Sequence, residues 1–343
     1  MTLIAVPITV TDRCGALAAA ARAAEFGADV VEYRLDAFAP PDHDPEEAAL
    51  LVRESPLPCV VTCRPTWEGG DYDGDEAGRI GLLEHVGRGR DGIAPAYLDV
   101  ELAAYLASAG LRQSVSEVVD RPDQPRPDVS TGLILSSHDF QTMPPDLDRR
   151  LAEMVDAPAC RVVKLAWRAR SLRDNLEAFA ILRRRLKPTI ALCMGEAGLP
   201  SRVLAKKFGA LLTFASLDDD SGTAPGQPTI RDLKQLYRWD ALGPDTAVYG
   251  VVGYPVAHSV SPAFHNAGFD ATGTDAVYLP MPIPPEYEHF KATALAWLDD
   301  DALGFRGASV TIPHKANLLR FVEERGGDIE PLAAKIGAAN TLH

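Results

Sequence analysis

Short apolar runs and helix-forming segments alternate along the first two-thirds of the sequence, and this alternation limits the fold more than any other feature. Eight runs have the length and the apolar or β-branched content of buried strands, at residues 3–10, 29–36, 58–64, 95–101, 131–138, 159–166, 189–194 and 210–216. Helices are predicted at residues 15–26, 45–54, 73–87, 147–155, 172–186, 201–208 and 229–237. Strands that alternate with helices form parallel sheets, and eight such units predict a (β/α)8 barrel.

One segment departs from the alternation. Residues 112–130 contain three prolines and several charges where a barrel helix is expected. We predict a surface loop there, after a shortened helix.

A second pattern begins after a linker at residues 239–246, which contains Gly243-Pro244. Strands are predicted at 247–253, 276–280 and 307–312, and helices at 262–271, 287–298 and 316–324. These roughly 95 residues are enough for a small α/β domain. The predicted domains are therefore 1–240 and 247–343. The second contains no G-x-G-x-x-G motif, so no dinucleotide site is predicted.

The composition is ordinary for a soluble globular protein, with 46% hydrophobic and 24% charged residues. The net charge of −14 argues against nucleic-acid binding. No apolar stretch approaches the ~18 residues that a membrane-spanning helix needs. Four of the five cysteines fall on apolar runs, which predicts buried thiols in a reducing compartment. The N-terminus has no signal-peptide pattern, and we predict a cytoplasmic protein.

Lys164 lies inside the sixth predicted strand, between Val163 and Leu165. Lysine is rarely buried without a partner or a function, because removing its ammonium from water costs several kcal/mol. A salt-bridged or snorkelling lysine is one explanation. An amine with a lowered pKa that forms a Schiff base with a carbonyl is the other.

The carboxyl ends of barrel strands converge on one mouth, so the residues there decide between these explanations. The polar residues at these ends are Glu32, Arg34, Asp36, Arg64, His138 and, at a helix start after the seventh strand, Arg202. Singly, Glu32 and Arg34 fit a structural ion pair, and His138 fits a core histidine. Arg64 and Arg202 together fit an anion such as a carboxylate, and beside Lys164 they would lower the pKa of its amine. With His138 as a proton shuttle, the set predicts chemistry next to a ketone, either aldol cleavage or elimination.

These motifs resemble type I 3-dehydroquinate dehydratase over residues 1 to about 240. The resemblance rests on Glu32-x-Arg34-x-Asp36, Arg64 with Glu68-Gly69-Gly70, Ser137-His138-Asp139-Phe140, Val163-Lys164, Ser201-Arg202 and Ala224-Pro225-Gly226-Gln227. It implies a (β/α)8 TIM barrel in which Lys164 forms an imine with 3-dehydroquinate. His138 would remove the C2 proton and help the C1 hydroxyl leave as water, with Glu68 orienting it.

The same resemblance implies a substrate-binding set and a reaction without metal or cofactor. The binding residues would be Glu32, Arg34, Arg64, Arg202, Thr223 and Gln227. Thr223 stands where the family usually has a serine, and it keeps the hydroxyl. A homodimer is possible, although residues 112–130 depart from the family's helix.

Three motifs after residue 247 resemble the substrate-binding domain of shikimate dehydrogenase. They are Ser259-Val260-Ser261-Pro262, Ser309-Val310-Thr311-Ile312-Pro313-His314-Lys315 and Gly337-Ala338-Ala339-Asn340-Thr341. From the residues alone, Ser261 is a helix cap before Pro262, or it forms an anion site with Ser259. The resemblance implies that Ser259 and Ser261 bind a carboxylate, that Lys315 is catalytic, and that Thr311 and Asn340 hold ring hydroxyls. It also implies a separate NADP-binding domain that the sequence does not contain, so dehydrogenation by this chain alone is not expected.

Two other functions remain open at this point. A catalytically silent sensor of shikimate-pathway ligands would need no intact Lys164, His138 and Glu68 set. A class I aldolase on the same barrel fits the arginine and Gly-Gly context less well. In all three cases the ligand is a small molecule, and neither nucleic acid nor a membrane is a predicted partner.

Overall fold

A computed structural model describes residues 2–39, 44–121, 130–218 and 226–343 of the chain. The described residues form two sheets, one of eight strands and one of four. The strands of the larger sheet are β1 (Leu3–Thr9), β2 (Val30–Arg34), β3 (Cys59–Thr62), β4 (Tyr97–Glu101), β5 (Gly132–Asp139), β6 (Cys160–Arg168), β7 (Thr189–Met194) and β8 (Leu212–Phe214).

The larger sheet is a nearly closed parallel barrel. Its order is β7-β6-β5-β4-β3-β2-β1-β8, and each neighbouring pair is parallel. The Leu211 amide, next to β8, donates to the Thr189 carbonyl of β7 at 2.9 Å and brings the two ends of the sheet together. The predicted (β/α)8 barrel is therefore confirmed, with strand ends that differ from the prediction by a few residues.

Helices follow the barrel strands and cover the outside of the sheet. They are α1 (Arg13–Glu25), α2 (Pro45–Glu54), α3 (Glu76–Arg88), α4 (Leu102–Ala107), α5 (Ala109–Val118), α6 (Leu147–Asp156), α7 (Asp174–Arg184) and α8 (Leu199–Val203). Asp12, Asp44 and Asp75 cap the first three of these helices by accepting backbone N–H groups of the first turn.

The predicted loop at 112–130 is wrong for its first part, because α5 runs through Val118. The Ser108 hydroxyl caps this helix, and Leu111, Val115 and Val118 form one buried face at helical spacing. Residues 122–129 lie outside the described part of the chain. The helices predicted at 201–208 and 229–237 are also shorter: the first is α8, and the second is a π-helical stretch, Asp232–Leu236.

The second sheet belongs to a small α/β domain, as predicted. Its strands are β9 (Ala247–Gly253), β10 (Ala276–Pro282), β11 (Phe305–Val310) and β12 (Thr341–Leu342), and its helices are α9 (Ser261–Thr272), α10 (Tyr287–Leu298), α11 (Lys315–Glu324) and α12 (Pro331–Ile336). The strand order is β10-β9-β11-β12, with only β12 antiparallel. The sequence pattern did not predict α12 and β12, because both are short.

Arginine side chains connect the two domains. Arg238 donates to the carbonyls of Thr274 and Ala276 at 3.0 and 2.5 Å. Arg183 of α7 forms an ion pair with Asp300 at 2.9 Å.

The cysteines follow the prediction for buried thiols. Cys59, Cys63, Cys160 and Cys193 are buried, and all five cysteines are free. Within the described residues, no helix is both long and apolar enough to cross a membrane.

Candidate active site

A cavity opens at the carboxyl ends of the barrel strands. Its lining residues are Glu32, Arg34, Arg64, Glu68, Gly69, His138, Phe140, Lys164, Ala166, Leu192, Met194, Arg202, Phe214 and Gln227. The barrel thus brings together nearly all of the residues that the sequence predicted for the barrel site. Thr223 lies outside the described residues.

Lys164 projects from β6 into this cavity, and its side chain is almost fully buried. Its Nζ donates to Asp99 Oδ2 at 2.7 Å and to Glu32 Oε1 at 3.2 Å. The Phe214 ring lies beneath it, with 4.6 Å between Nζ and the ring centroid. Among the described residues, the hydrogen-bond partners of the amine are therefore carboxylates, while Arg64 and Arg202 line the same cavity.

Arg64 is buried at the end of β3 and is surrounded by barrel side chains. It donates to Asp99 at 2.9 Å, to Glu101 at 3.0 Å and to Ser136 at 2.7 Å. Burial opposes its charge, but the neighbouring carboxylates outweigh that effect and raise the pKa of Arg64. Arg64 therefore neutralises the acidic side chains below the cavity, in addition to lining it.

Asp99 and Glu101 are site residues that the sequence analysis missed. They alternate with Leu98 and Val100 on β4, so both carboxylates face the barrel interior. Burial would raise the pKa of Asp99, but Arg64 and Lys164 outweigh it and hold that pKa well below its usual value. Two carboxylates in an otherwise apolar strand were the available signal.

Arg79 of α3 was also missed, and it extends this buried charge network outward. Its Nη1 donates to Glu101 at 2.5 Å and to the Cys63 carbonyl at 3.2 Å. Its other nitrogens contact Glu76, which is partly exposed. Charges of alternating sign therefore run from the helix surface to Lys164.

His138 and Glu68 form the pair that the resemblance implied. One Glu68 oxygen accepts from the His138 backbone N–H at 3.1 Å and contacts Nδ1 at 2.9 Å. Nε2 is then the ring nitrogen that is free to exchange a proton with a ligand. Burial, with the positive charges of Arg64 and Lys164, lowers the pKa of His138 well below its ordinary value. Burial raises the pKa of Glu68 to about 8, against the opposing effect of Arg64.

Arg202 presents a buried positive charge without a carboxylate partner among the described residues. Its side chain is 1% exposed, and its Nε has no hydrogen-bond partner. Burial lowers its pKa to about 10. A cation buried in this way favours an anionic ligand.

Arg34 and Gln227 line the same cavity. Arg34 pairs with Asp36 on the end of β2, and Asp36 also accepts the Arg64 backbone N–H at 2.8 Å. Gly226 brings its neighbour Gln227 close to β7, because a Cβ at Gly226 would lie 2.4 Å from the Gly195 carbonyl oxygen. Only glycine fits such an approach.

The predicted site of the second domain is less compact. Lys315 and Asn340 line a cavity between α11 and α12, whereas Ser259, Ser261 and Thr311 are not among its lining residues. The prediction that Ser261 caps α9 is wrong, because the helix begins at Ser261 and Val260 is its cap residue. The Ser259 hydroxyl accepts the Ser261 backbone N–H at 3.3 Å, which keeps these two residues together.

Comparison with family models decides the classification. The model described as Type I 3-dehydroquinase matches residues 4–244, which is more than half of the chain. The chain belongs to the type I 3-dehydroquinase family. In this family member a second model, described as Shikimate dehydrogenase substrate binding domain, matches residues 251–342.

Relatives of this type I 3-dehydroquinase family member have one or both domains. The chloroplastic bifunctional 3-dehydroquinate dehydratase/shikimate dehydrogenase of Arabidopsis thaliana is 40% identical over 94% of this chain, which spans only 49% of that protein. The 3-dehydroquinate dehydratase of Desulfotalea psychrophila is 36% identical over 62% of this chain and 87% of that protein. The crystal structure of 3-dehydroquinate dehydratase from Geobacillus kaustophilus has a TM-score of 0.57 and 27% identity, covering 68% of this chain and 89% of that one. None of these three relatives is described as a sensor or an aldolase.

Proposed function

We propose that the barrel dehydrates 3-dehydroquinate to 3-dehydroshikimate through a Schiff base on Lys164. One observation carries this proposal: a buried amine, an imidazole paired with a carboxyl group, and a buried guanidinium without a carboxylate partner among the described residues line one cavity. The guanidinium of Arg202 would bind the substrate carboxylate. Arg34, Glu32 and Gln227 line the same cavity and would bind the substrate hydroxyls.

The carboxylates beside Lys164 give the amine a route to the imine. Because the pKa of Asp99 is held low, Glu32 is the carboxylate that accepts the ammonium proton, which frees the nitrogen to attack the ketone carbon. This proton can then pass to the departing oxygen. The C–N bond forms, the ketone oxygen leaves as water, and the nitrogen becomes a protonated imine. Its positive charge would be stabilised by the carboxylates of Asp99 and Glu32, which lie 2.7 and 3.2 Å from Nζ of the free lysine.

His138 would then perform both proton steps of the elimination. Its low pKa keeps the imidazole neutral, so Nε2 can remove the C2 proton that the imine makes acidic. The same proton assists departure of the C1 hydroxyl as water. Hydrolysis of the imine releases the product and restores the Lys164 amine.

Reduction in the presence of substrate tests this proposal. Borohydride added with 3-dehydroquinate should convert the imine to a stable amine on Lys164, detectable by peptide mass spectrometry. Purified chain should also turn over 3-dehydroquinate, and Lys164→Ala should lose both turnover and labelling. Folded protein that stays unlabelled at Lys164 would refute the Schiff-base mechanism. Equal activity of Lys164→Ala and wild type would favour a different role, such as ligand sensing.

We propose that the second domain binds a related hydroxy-carboxylate through Ser259, Ser261, Thr311, Lys315 and Asn340. The motif resemblance and the match to the substrate-binding model support this. Hydride transfer would require NADP bound to a further domain, and we assign no residue of this chain to NADP binding. Isothermal titration calorimetry with shikimate, on the wild-type protein and on Lys315→Ala, tests for binding. Identical binding heats from the two proteins would argue against the site.

The remaining assignments stay predictions: domains of 1–240 and 247–343, no metal or NADP in the dehydratase step, a cytoplasmic location, and a possible homodimer. Analytical ultracentrifugation and activity after chelator treatment test the oligomeric state and the metal independence.

A further inference from the structure

The arginine of the cavity stands on a very short helix. Arg202 belongs to α8, which has five residues, and its own carbonyl accepts the Thr213 hydroxyl at 3.0 Å. A helix of this length is not stable by itself. Burial of the Arg202 charge is also unfavourable by itself, because no carboxylate among the described residues pairs with it. Contacts outside α8 must therefore hold Arg202 in the cavity.

Asn175, in the first turn of α7, supplies such contacts. Its side chain is fully buried, and Nδ2 donates to the carbonyls of Leu172 at 2.9 Å and Ala197 at 2.7 Å. Its Oδ1 accepts the Ser201 backbone N–H at 3.0 Å. One amide group therefore joins the loop after β6, the loop after β7 and the residue that precedes Arg202.

The Ser201 side chain makes two further hydrogen bonds that hold the same segment. Its hydroxyl accepts the Cys193 backbone N–H at 2.8 Å and donates to the Gly198 carbonyl at 2.7 Å. The position of α8 is thus fixed by side-chain hydrogen bonds to strand β7 and to the neighbouring loops.

Trp297 of the second domain contacts this network. It is 1% exposed, and its indole Nε1 lies 3.4 Å from the same Leu172 carbonyl that Asn175 binds. Strand β10 also lies against the 3-10 turn Glu196–Gly198, which contains the other Asn175 acceptor. The second domain therefore packs on both loops that Asn175 joins.

We propose that Asn175 and Trp297 are positioning residues for Arg202, so that the second domain maintains the carboxylate-binding site of the barrel. This inference rests on the proposed dehydratase function. Bidentate binding of a carboxylate by an arginine depends on orientation, and a small shift of the guanidinium weakens it. The effect belongs to substrate binding and leaves the Lys164 and His138 steps unchanged.

A double-mutant cycle in the full chain tests this coupling. We expect Asn175→Ala to raise KM about tenfold with kcat little changed, as expected for loss of oriented binding. Trp297→Ala should change KM in the same direction. In an Arg202→Gln background neither substitution should raise KM further, because the group that they position is gone. Arg183→Gln, which removes an ion pair at the same domain contact, is the control and should leave KM unchanged.

The outcomes separate the two hypotheses. Additive KM changes in the Arg202→Gln background, or a fall in kcat at constant KM, would refute the positioning role while the dehydratase stands. If KM rises in Asn175→Ala and stays unchanged in Trp297→Ala, the proposed role of the second domain is refuted. If Asn175→Ala does not fold, the same double-mutant cycle with Arg202→Gln is measured with Trp297→Phe and Trp297→Ala. A folded wild type without turnover would refute the proposed function, and this inference with it.

Discussion

The Lys164 amine donates to two carboxylates, and these neighbours have a chemical consequence at the scale of single residues. Asp99 is the closer partner, and it is itself held by Arg64 and Ser136. An ammonium and a protonated imine carry the same charge at nearly the same place. The carboxylate is therefore suited to both states and needs little rearrangement between them.

Replacing Asp99 tests this directly. We expect Asp99→Asn to lower kcat about a hundredfold, because the imine loses the carboxylate that stabilises its charge. Borohydride labelling of Lys164 should slow in parallel. Asp148→Asn, on the exposed surface of α6, serves as the control and should match wild type. Normal labelling kinetics in a folded Asp99→Asn variant would contradict the role.

Glu68 determines how the reaction depends on pH. His138 acts as a base at Nε2 when Nδ1 carries the proton. An ionised Glu68 can only accept from Nδ1–H, whereas a protonated Glu68 can donate its O–H to Nδ1 and favour the tautomer with the proton on Nε2. Because burial raises the pKa of Glu68 to about 8, the ionised form gains population as pH rises through that value. We therefore expect kcat/KM to rise with a midpoint near pH 8 and to level off above it.

Glu68→Gln should remove this rise, since an amide accepts from Nδ1–H at every pH. The pH profile of kcat/KM from 6.5 to 9 measures the difference, with Glu84→Gln on α3 as the control. A rise near pH 8 that persists in Glu68→Gln would assign the titration to another group.

At the scale of elements, the network ties α3 to β4 through buried charges. Arg79 is fully buried and bonds Glu101 of β4, so the helix and the strand are joined by an ion pair rather than by apolar contacts alone. Loss of one partner leaves the other buried and partly uncompensated.

Arg79→Ala should therefore destabilise the barrel by about 3 kcal/mol, measured by urea unfolding. Arg88→Ala on the same helix is the matched control. That arginine is exposed and pairs with Glu84, so its loss should change stability by less than about 1 kcal/mol. If the two substitutions lower the free energy of unfolding equally, the buried ion pair contributes no more to stability than the exposed one.

The sequence predicted these elements unequally, for physical reasons. The barrel strands were visible because they are buried on both faces and read as apolar runs. Helix α5 was missed because the prolines that follow it obscured its buried face, Leu111, Val115 and Val118. Lys164 was found because a lysine stands out inside an apolar strand, and His138 and Arg202 because they lie at the ends of predicted elements. Asp99 and Arg79 lie within elements and were missed. Alternation alone does not tell which face of β4 is the barrel interior.

At the scale of the whole molecule, the two domains share buried contacts. Trp297 packs edge-on against Phe305 within its own domain, with ring centroids 5.7 Å apart, while its indole nitrogen reaches a barrel carbonyl. Arg238, beside the linker, adds bonds to the second sheet. The unit that unfolds is then expected to include both domains.

We expect the wild-type chain to unfold in a single thermal transition by calorimetry, because a buried aromatic residue at the contact couples the domains. Trp297→Ala removes a fully buried ring, a change that typically costs about 3–5 kcal/mol. It should separate the transition into two, with the second domain melting first. Trp67→Ala is the control, since that side chain is 58% exposed and its removal leaves both domains packed. Two transitions in the wild-type protein would show that the contact does not couple the unfolding of the domains. A single transition at a lower temperature in Trp297→Ala would show that other contacts are enough to keep the domains coupled.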